Sequence, residues 1–171
     1  APKWTPRWYA VTEPWIMDMG QTAEKLAKER GITRQDADEF SFDSHKKAVR
    51  AQKEGLLSDE INPITIEYTD GSKVTVDKDQ NPREDTTLEK LATLKPAYTA
   101  EGQVTAGNAS PRTDGATICL IMEKEIAKQK GIKPMATFRH AASVGVDPTI
   151  MGIGPVPATQ NLLKRSGMGI G

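Results

Sequence analysis

The stretch Ala116-Thr-Ile-Cys-Leu-Ile-Met122 decides the fold class, because it is a continuous apolar run of strand length. Apolar residues on both faces are typical of a strand that is covered on both sides of a sheet. A polar helical stretch follows at 123–130, then a second strand candidate at 135–146 and a last helix over 154–165. The order strand, helix, strand, helix predicts an α/β architecture for the second half of the chain.

Helical patterns dominate the beginning of the first half. Residues 21–30 place alanine and leucine on one face, and Gly31 is a typical left-handed stop. Thr33, with Asp36 three residues further on, is a good N-cap for a second helix that runs to about residue 54. Further glycines are expected to end helices at Gly55, Gly131 and Gly167.

The second helix has two faces of different character. A stripe of mostly small residues recurs at spacings of three and four, which predicts a packing face; it consists of Ala37, Phe40, Ser44, Ala48 and Ala51. The second half of the helix is basic through Lys46, Lys47, Arg50 and Lys53. We interpret these cations as a solvated face that also complements the C-terminal end of the helix dipole.

A hairpin interrupts the helices. Apolar residues alternate on both sides of Asp70-Gly71, which predicts two short strands over 61–76. Residues 77–87 are charged and loop-like, and 88–94 form a short helix or turn. The first half is therefore predicted to be a helical insertion with a small hairpin, placed before the α/β elements.

Composition excludes several classes of protein. The 171 residues hold 23 Lys and Arg against 23 Asp and Glu, so the formal charge of zero argues against nucleic-acid binding and against a membrane-surface protein. A lone cysteine excludes an internal disulfide framework and fits a reducing compartment. No apolar run is long enough to span a bilayer, and residues 1–10 do not resemble a signal peptide.

Residues 1–17, with three Trp, are interpreted as an extended connector. The chain is expected to be a piece of something longer, because it starts without Met and stops in Gly-Met-Gly-Ile-Gly.

Nucleophiles and metal ligands are scarce. Cys119 lies in the middle of the apolar run, so we expect a buried structural thiol. His45 is expected to be exposed among lysines, and His140 to be a wall residue of a strand. Neither a serine nucleophile elbow, nor a metal-ligand spacing, nor a nucleotide-binding glycine loop is present in the sequence.

Three segments are candidates for binding. In the loop 104–111, Gly and Ala leave the backbone uncovered for a long thin ligand, and Asn108 and Ser110 can bond an amide; close packing explains the small residues equally well. Arg83 can pair with a phosphate, although a loop arginine alone is more often a surface ion pair. Segment 146–155 has glycines around a helix start, which allows a substrate to approach closely.

At these residues the sequence resembles the thiolases, the acyl-CoA C-acetyltransferases. Four stretches carry the resemblance in family order and together span nearly the whole chain. They are Met19-Gly-Gln-Thr-Ala-Glu-Lys-Leu-Ala27, Arg83-x-x-Thr-Thr-Leu-x-x-Leu-x-x-Leu-Lys-Pro-Ala-Tyr98, Gly102-x-Val-Thr-Ala-Gly-Asn-Ala-Ser110-x-x-x-Asp114-Gly-Ala116 and Val144-Gly-Val-Asp-Pro-x-x-Met151-Gly-x-Gly-Pro-x-Pro-Ala158. The third and fourth are the most specific.

The resemblance implies a position within a larger fold. Thiolases have two similar halves in a layered αβαβα core, and a loop domain inserted in the first half covers coenzyme A (CoA). Residues 1–103 resemble that loop domain, 104–132 the last elements of the first half, and 133–171 the start of the second half. The fold class implied is therefore α/β and thiolase-like, with a helical loop domain and part of the core.

The resemblance also implies what the chain lacks. The nucleophilic cysteine of the family precedes this segment, and its histidine and acid/base cysteine follow it, so no catalytic residue is expected here. CoA thioesters are the implied substrates, without a cofactor or a metal. The implied partners are CoA, acyl-CoA and the other thiolase domains, with a homodimeric or homotetrameric parent. A cytoplasmic location is implied, with the mitochondrial matrix or the peroxisome for a eukaryotic parent.

CoA-contacting positions transfer residue by residue. The resemblance implies that Ser110 bonds the pantetheine, that Ala106 and Tyr98 line the channel, and that Arg83 lies near the nucleotide. Met19 and Met151 match methionines near the acyl and pantetheine end. The chain departs from common members of the family at Asp18 and Lys90, and the stretch from 83 to 98 looks more like the degradative 3-ketoacyl-CoA branch.

Two functional hypotheses stand beside each other. The first is a thiolase segment that holds CoA, with weak binding because half of the pocket lies elsewhere. The second is a non-catalytic loop-domain module with a structural or assembly role, which the missing motifs favour. Because core strands without their neighbours expose open edges, the isolated chain is also expected to self-associate or to be poorly soluble.

Overall fold

The structure, a computed structural model, describes residues 17–170. The chain divides into two compact units, residues 1–111 and 112–171. The connector predicted over 1–17, with Trp4, Trp8 and Trp15, lies outside the described residues except for its last position.

The two predicted helices of the first unit are confirmed. Helix α1 spans Met19–Arg30 and begins at Asp18, whose side chain accepts a hydrogen bond from the Gly20 N–H at 3.0 Å. It ends at Gly31, which has the positive φ of 66° that favours glycine over any residue with a Cβ. Helix α2 spans Arg34–Lys53.

The start of α2 is a reciprocal cap, as the sequence predicts. The Thr33 hydroxyl accepts from the Asp36 N–H at 3.1 Å, and the Asp36 carboxylate accepts from the Thr33 N–H at 2.8 Å. Two backbone donors that the first turn leaves without a helical partner are satisfied in this way. The predicted stop at Gly55 is also present, with φ of 68°.

The predicted hairpin is confirmed in a shorter form. Strand β1, Ile64–Glu67, pairs antiparallel with β2, Lys73–Val76, so that Ile64 faces Val76. The turn between the strands is closed by Asp70, whose carboxylate accepts from the Ser72 N–H at 2.9 Å. Seven of the eight strand residues are exposed, so the hairpin adds little to the core of the unit.

The small core of the first unit lies where α2 meets helix α3, Leu88–Ala92. Leu91 is only 3% exposed, and it lies with Leu94 directly against Gly107, where a Cβ would have no room. The Arg34 guanidinium donates to the carbonyls of Leu91 at 2.7 Å and Leu94 at 3.0 Å, which ties the end of α3 to the start of α2.

The packing face predicted for α2 is partly wrong. Phe40 is 80% exposed and Ser44 is also at the surface, whereas Asp38 is only 5% exposed. The buried face carries polar side chains because their partners are backbone groups and an amide from distant segments. The spacing of apolar residues in the sequence therefore does not identify the buried face of α2.

The second unit contains two of the predicted helices. Helix α4 spans Lys124–Gln129, and helix α5 spans Pro155–Ser166 after a 3₁₀ helix at Pro148–Ile153. The predicted stops at Gly131 and Gly167 have φ of 67° and 68°.

The two strands predicted in the second unit are wrong for the described residues. Neither 116–122 nor 135–146 forms a strand, and Ile118 and Met135 are each 99% exposed. A strand exists through hydrogen bonds to a neighbouring strand, and no strand within 112–170 offers that pairing. The apolar pattern predicts burial on both faces, but the covering elements are not part of this unit.

Two side-chain expectations depended on those strands. Cys119 is exposed, which corrects the prediction of a buried thiol. His140 is exposed as well, so it is not the wall residue that the strand pattern predicts.

Candidate functional site

The loop 104–110 is a tight turn closed around Thr105. Thr105 has no exposed surface, and its hydroxyl accepts from the Gly107 N–H at 3.2 Å. The side-chain oxygen of Asn108 accepts from the Thr105 N–H at 2.8 Å, and the Thr105 carbonyl accepts from the Ala109 N–H at 3.1 Å. Hydrogen bonds among its own residues therefore define the shape of the loop.

Polar contacts hold this loop to α2. The Asn108 amide donates to the Asp38 carboxylate at 2.9 Å, and Arg34 donates to the other oxygen of Asp38 at 2.7 Å. The Ser41 hydroxyl donates to the Gly107 carbonyl at 2.6 Å. Because Asp38 is buried and charged, these donors replace the water that its carboxylate loses on folding.

A second carboxylate holds the loop to α1. The Glu24 carboxylate accepts hydrogen bonds from the backbone N–H groups of Gln103 and Val104, and the shortest distance is 2.9 Å in each case. The entry to the loop also pairs with the segment before it, since the Ala97 N–H donates to the Val104 carbonyl at 2.9 Å. Two helices and one extended segment thus determine where the loop lies.

The loop presents its small residues outward. Ala106, Ala109 and Ser110 are exposed, while Asn108 and Thr105 face the interior. Among residues 17–170, no partner bonds the Ser110 hydroxyl, so both its donor and its acceptors face solvent. The prediction that Asn108 bonds a ligand is not supported, because its amide is used within the fold.

Tyr98 and Met19 lie at one end of α1. The Tyr98 ring packs directly on the backbone of Gly20, where a Cβ would overlap it. Tyr98 remains 44% exposed and Met19, the first residue of α1, is 60% exposed. The structure therefore brings these two predicted residues to neighbouring positions on the surface.

Arg83 lies beside the C-terminal half of α2. Its backbone N–H donates to Nδ1 of His45 at 3.2 Å, which places His45 as a partly buried acceptor rather than a fully exposed residue. A surface cavity of about 350 Å³ lies here. It is lined by Lys46, Arg50, Lys53 and Arg83, with Glu54 and Glu84 as its acidic members.

The charge of this cavity is positive, with four cations against two carboxylates. Lys53 pairs with Glu84, and Lys46 lies 4.9 Å from the centre of the Phe42 ring. Arg50 and Arg83 form no salt bridge within residues 17–170. Their guanidinium groups can accordingly take a phosphate.

A second surface cavity has the opposite charge. It measures about 480 Å³ and is lined by Asp36, Glu39, Asp43, Phe40, Phe42 and Leu88. Hydrogen bonds from the hydroxyl and then the backbone N–H of Thr33 lower the pKa of Asp36 below its usual value of 3.8. This carboxylate stays ionised at neutral pH, so the cavity disfavours anionic ligands.

Met151 lies in the second unit, within the 3₁₀ helix Pro148–Ile153, and is 48% exposed. Asp147 caps that turn by accepting from the Thr149 N–H at 2.8 Å. The candidate segment 146–155 is therefore an ordered turn that leads into α5.

Sequence reasoning missed the residues that hold the loop. Glu24 gives no signal in the sequence, because its partners are backbone N–H groups 79 and 80 positions away. Arg34 and Asp38 do have a recognisable signal, which is the i,i+4 spacing of opposite charges on one helix.

Residues 17–170 contain neither a metal-ligand cluster nor a membrane-spanning helix. Across that range, no group of three or more His, Cys, Asp or Glu side chains could hold a metal ion. Nor does any helix there have the length and apolar character needed to cross a membrane.

Comparison with known proteins gives the family. The model for the thiolase N-terminal domain matches residues 11–125, and that for the thiolase C-terminal domain matches 132–171. A probable acetyl-CoA acyltransferase of Staphylococcus aureus is 47% identical over 148 residues, which cover 86% of this chain and 38% of the relative. An acetyl-CoA acetyltransferase of Allochromatium vinosum is 46% identical over 149 residues, which cover 87% and 38%.

Solved structures agree with the sequence relatives. The acetyl-CoA acetyltransferase of Bacillus anthracis matches with a TM-score of 0.87 and 44% identity over 90% of this chain and 39% of that one. Human mitochondrial 3-ketoacyl-CoA thiolase matches with a TM-score of 0.81 and 35% identity over 95% and 41%. The thiolase-like α/β fold class predicted from the sequence is thereby confirmed, and the chain spans about two fifths of the length of these proteins. These matches show that the chain belongs to the thiolase family.

Proposed function

We propose that this chain is the CoA-binding part of a thiolase, an enzyme that transfers an acyl group between CoA and a 3-ketoacyl-CoA. The observation that carries the proposal is the arrangement along α2. Ser41 in its first half holds the small-residue loop, and Lys53 at its end lines the basic cavity. The two residues are twelve positions apart on the helix, which is about 18 Å at 1.5 Å per residue.

A ligand that is long, amide-containing and phosphorylated at one end fits both features. The exposed Ser110 hydroxyl can bond an amide of the pantetheine arm, and Ala106 leaves the nearby backbone open to it. Arg83 can pair with the phosphates of the nucleotide. Tyr98 and Met19 are proposed to line the arm where it passes α1.

The chemistry of acyl transfer is assigned to other parts of the polypeptide. Thiolysis needs a nucleophilic thiolate and an acid or base to activate it. The lone Cys119 lies in an apolar segment away from any histidine motif. We therefore propose that the chain alone binds CoA weakly and does not catalyse, and that its parent is a cytoplasmic or organellar homo-oligomer. Residues 1–103 form the loop domain in this proposal, with 104–132 and 133–171 belonging to the two core halves.

Calorimetric titration of the full chain with CoA, dephospho-CoA and pantetheine tests the proposal. We expect Ser110→Ala to weaken binding of all three ligands. Arg83→Ala should weaken CoA about tenfold, the value of one charge-assisted contact, and leave pantetheine unchanged. Arg139→Ala and Ser143→Ala, exposed positions in the second unit, are the matched controls.

Two results would decide against the proposal. Equal effects of Arg83→Ala and Arg139→Ala on CoA affinity would contradict the assignment of Arg83 to the nucleotide. A chain that is folded by circular dichroism yet binds none of the three ligands would favour the second candidate, a non-catalytic module. The exposed apolar segment 116–122 is the observation that favours that candidate, because such a surface is suited to assembly.

A further inference from the structure

The imidazole of His45, on α2, is bonded directly to Arg83. Its Nδ1 accepts a hydrogen bond from the Arg83 backbone N–H at 3.2 Å, across 38 positions of the chain. A ring nitrogen that accepts from an N–H carries no proton, so His45 is neutral in this contact and its proton lies on Nε2. His45 is partly buried, whereas Arg83 is exposed and lines the basic cavity. The contact thus fixes the backbone of the arginine and leaves its guanidinium at the cavity.

Two further contacts hold the same loop to α2. The Gln52 side-chain amide donates to the Asp79 carbonyl at 2.8 Å, and the Lys53 ammonium pairs with the Glu84 carboxylate. Both side chains of the ion pair are more than half exposed, which limits what the pair contributes. Neither contact involves Arg83 itself. The histidine contact is therefore the one that acts on the arginine directly.

We propose that His45 is a positioning residue for Arg83 in CoA binding, an inference that rests on the function proposed above. His45 acts through the arginine and does not touch the ligand. Its hydrogen bond holds the Arg83 backbone beside α2 before a ligand is present, so the guanidinium starts at the cavity that it lines. Binding a phosphate there costs less conformational entropy than ordering an unanchored loop.

The type of side chain at position 45 also fits this role. A lysine has no acceptor, so it could not hold the Arg83 N–H. A carboxylate could accept from it, but the carboxylate would also pair with the guanidinium and so compete with a phosphate. The neutral imidazole accepts without adding a charge to a cavity that already holds Lys46 and Arg50. It therefore fixes the arginine and leaves the guanidinium to the ligand.

Calorimetric titration of the full chain with CoA and with pantetheine tests the role of His45. His45→Ala should weaken CoA binding about fivefold, which corresponds to one neutral hydrogen bond, and leave pantetheine unchanged. His45→Asn should restore the native affinity, because its side-chain oxygen can accept close to the position of Nδ1. His140→Ala, at the exposed histidine of the second unit, is the matched control and should bind CoA like the native chain. Failure of His45→Asn to restore the affinity would contradict a role as acceptor.

A double-mutant cycle distinguishes a role through Arg83 from direct contact with the ligand. The double variant His45→Ala with Arg83→Ala should bind CoA no more weakly than Arg83→Ala alone, because the imidazole then has no guanidinium to position. Additive losses would assign His45 to the ligand itself and overturn the proposal. Gln52→Ala removes a contact of the same loop that does not involve Arg83, so it should change CoA affinity little. A loss equal to that of His45→Ala would assign the effect to the stability of the loop in general, which also overturns the proposal.

Nitrogen NMR observes the contact without a ligand. Long-range ¹H–¹⁵N spectra at alkaline pH should show the His45 ring with its proton on Nε2, and His45→Ala should shift the Arg83 amide resonance while His140→Ala does not. A proton on Nδ1 would refute the contact and with it the proposal. If Arg83→Ala weakens CoA binding but His45→Ala does not, the role of His45 alone is refuted. A chain that shows the contact but binds no CoA refutes the proposed function, and the positioning role with it.

Discussion

Replacing Asp38 by alanine tests whether the polar cluster under the loop stabilises the first unit. The carboxylate is 5% exposed and accepts from Arg34 at 2.7 Å and from Asn108 at 2.9 Å. Breaking a fully buried ion pair costs about 3–5 kcal/mol. The Arg34 side chain is 25% exposed and keeps two carbonyl acceptors, so we expect the lower end, about 3 kcal/mol.

Asp43→Ala is the matched control, on the same helix and with the same gain in helix propensity. Asp43 also forms an i,i+4 pair, with Lys47 at 3.7 Å, but its side chain is 65% exposed. Exposed pairs of this kind contribute about 0.3–0.5 kcal/mol. The two variants should therefore differ by about 2.5 kcal/mol in the free energy of unfolding.

Urea unfolding followed by circular dichroism at one low protein concentration measures this difference. In thermal melts it corresponds to a Tm lower by roughly 5–10 °C for Asp38→Ala than for Asp43→Ala. A difference below about 1 kcal/mol would refute the reasoning, because the buried position of Asp38 would then confer no more stability than an exposed pair.

Two further predictions concern the same unit. Gly107→Ala should lower the free energy of unfolding by about 1–3 kcal/mol, because the new Cβ overlaps the buried side chain of Leu91, whereas Gly145→Ala, with open space around it, should change it little. The carboxyl of Asp36 should titrate below its usual 3.8 in NMR spectra, and the stability due to its contacts, present above that pH, should be lost as the pH falls through the lowered pKa. Thr33→Ala should move the titration back towards 3.8, and an unchanged midpoint would contradict the assignment of the hydroxyl as the main cause.

Local elements of the fold could be predicted from the sequence because their signals are local. The cap at Thr33, the stop at Gly31 and the turn at Asp70 each depend on residues within four positions. The strand predicted at 116–122 could not form, because a strand depends on pairing partners that this unit does not supply. An apolar run favours a buried position, but burial also requires other elements that pack against the run.

The candidate site also combines residues that the sequence indicates with residues that it does not. Ser110 and Arg83 are candidates from their chemistry and Ala106 from the resemblance to thiolases, and their roles in binding stay predictions. The role of the half-buried Glu24, which holds the entry to the loop 104–110, could not be predicted, because its partners are backbone groups 79 and 80 positions away. Contacts of such long range leave no periodic pattern.

The hairpin of β1 and β2 has a consequence for how this domain can be altered. Its strands are four residues long and almost wholly exposed, and its turn is held by contacts of Asp70 with Ser72. Surface hairpins of this kind tolerate insertion better than buried elements do. A peptide tag or a second small domain spliced in after Gly71 would leave the α2–α3 core and the loop 104–110 intact, so the hairpin offers a place to attach a probe.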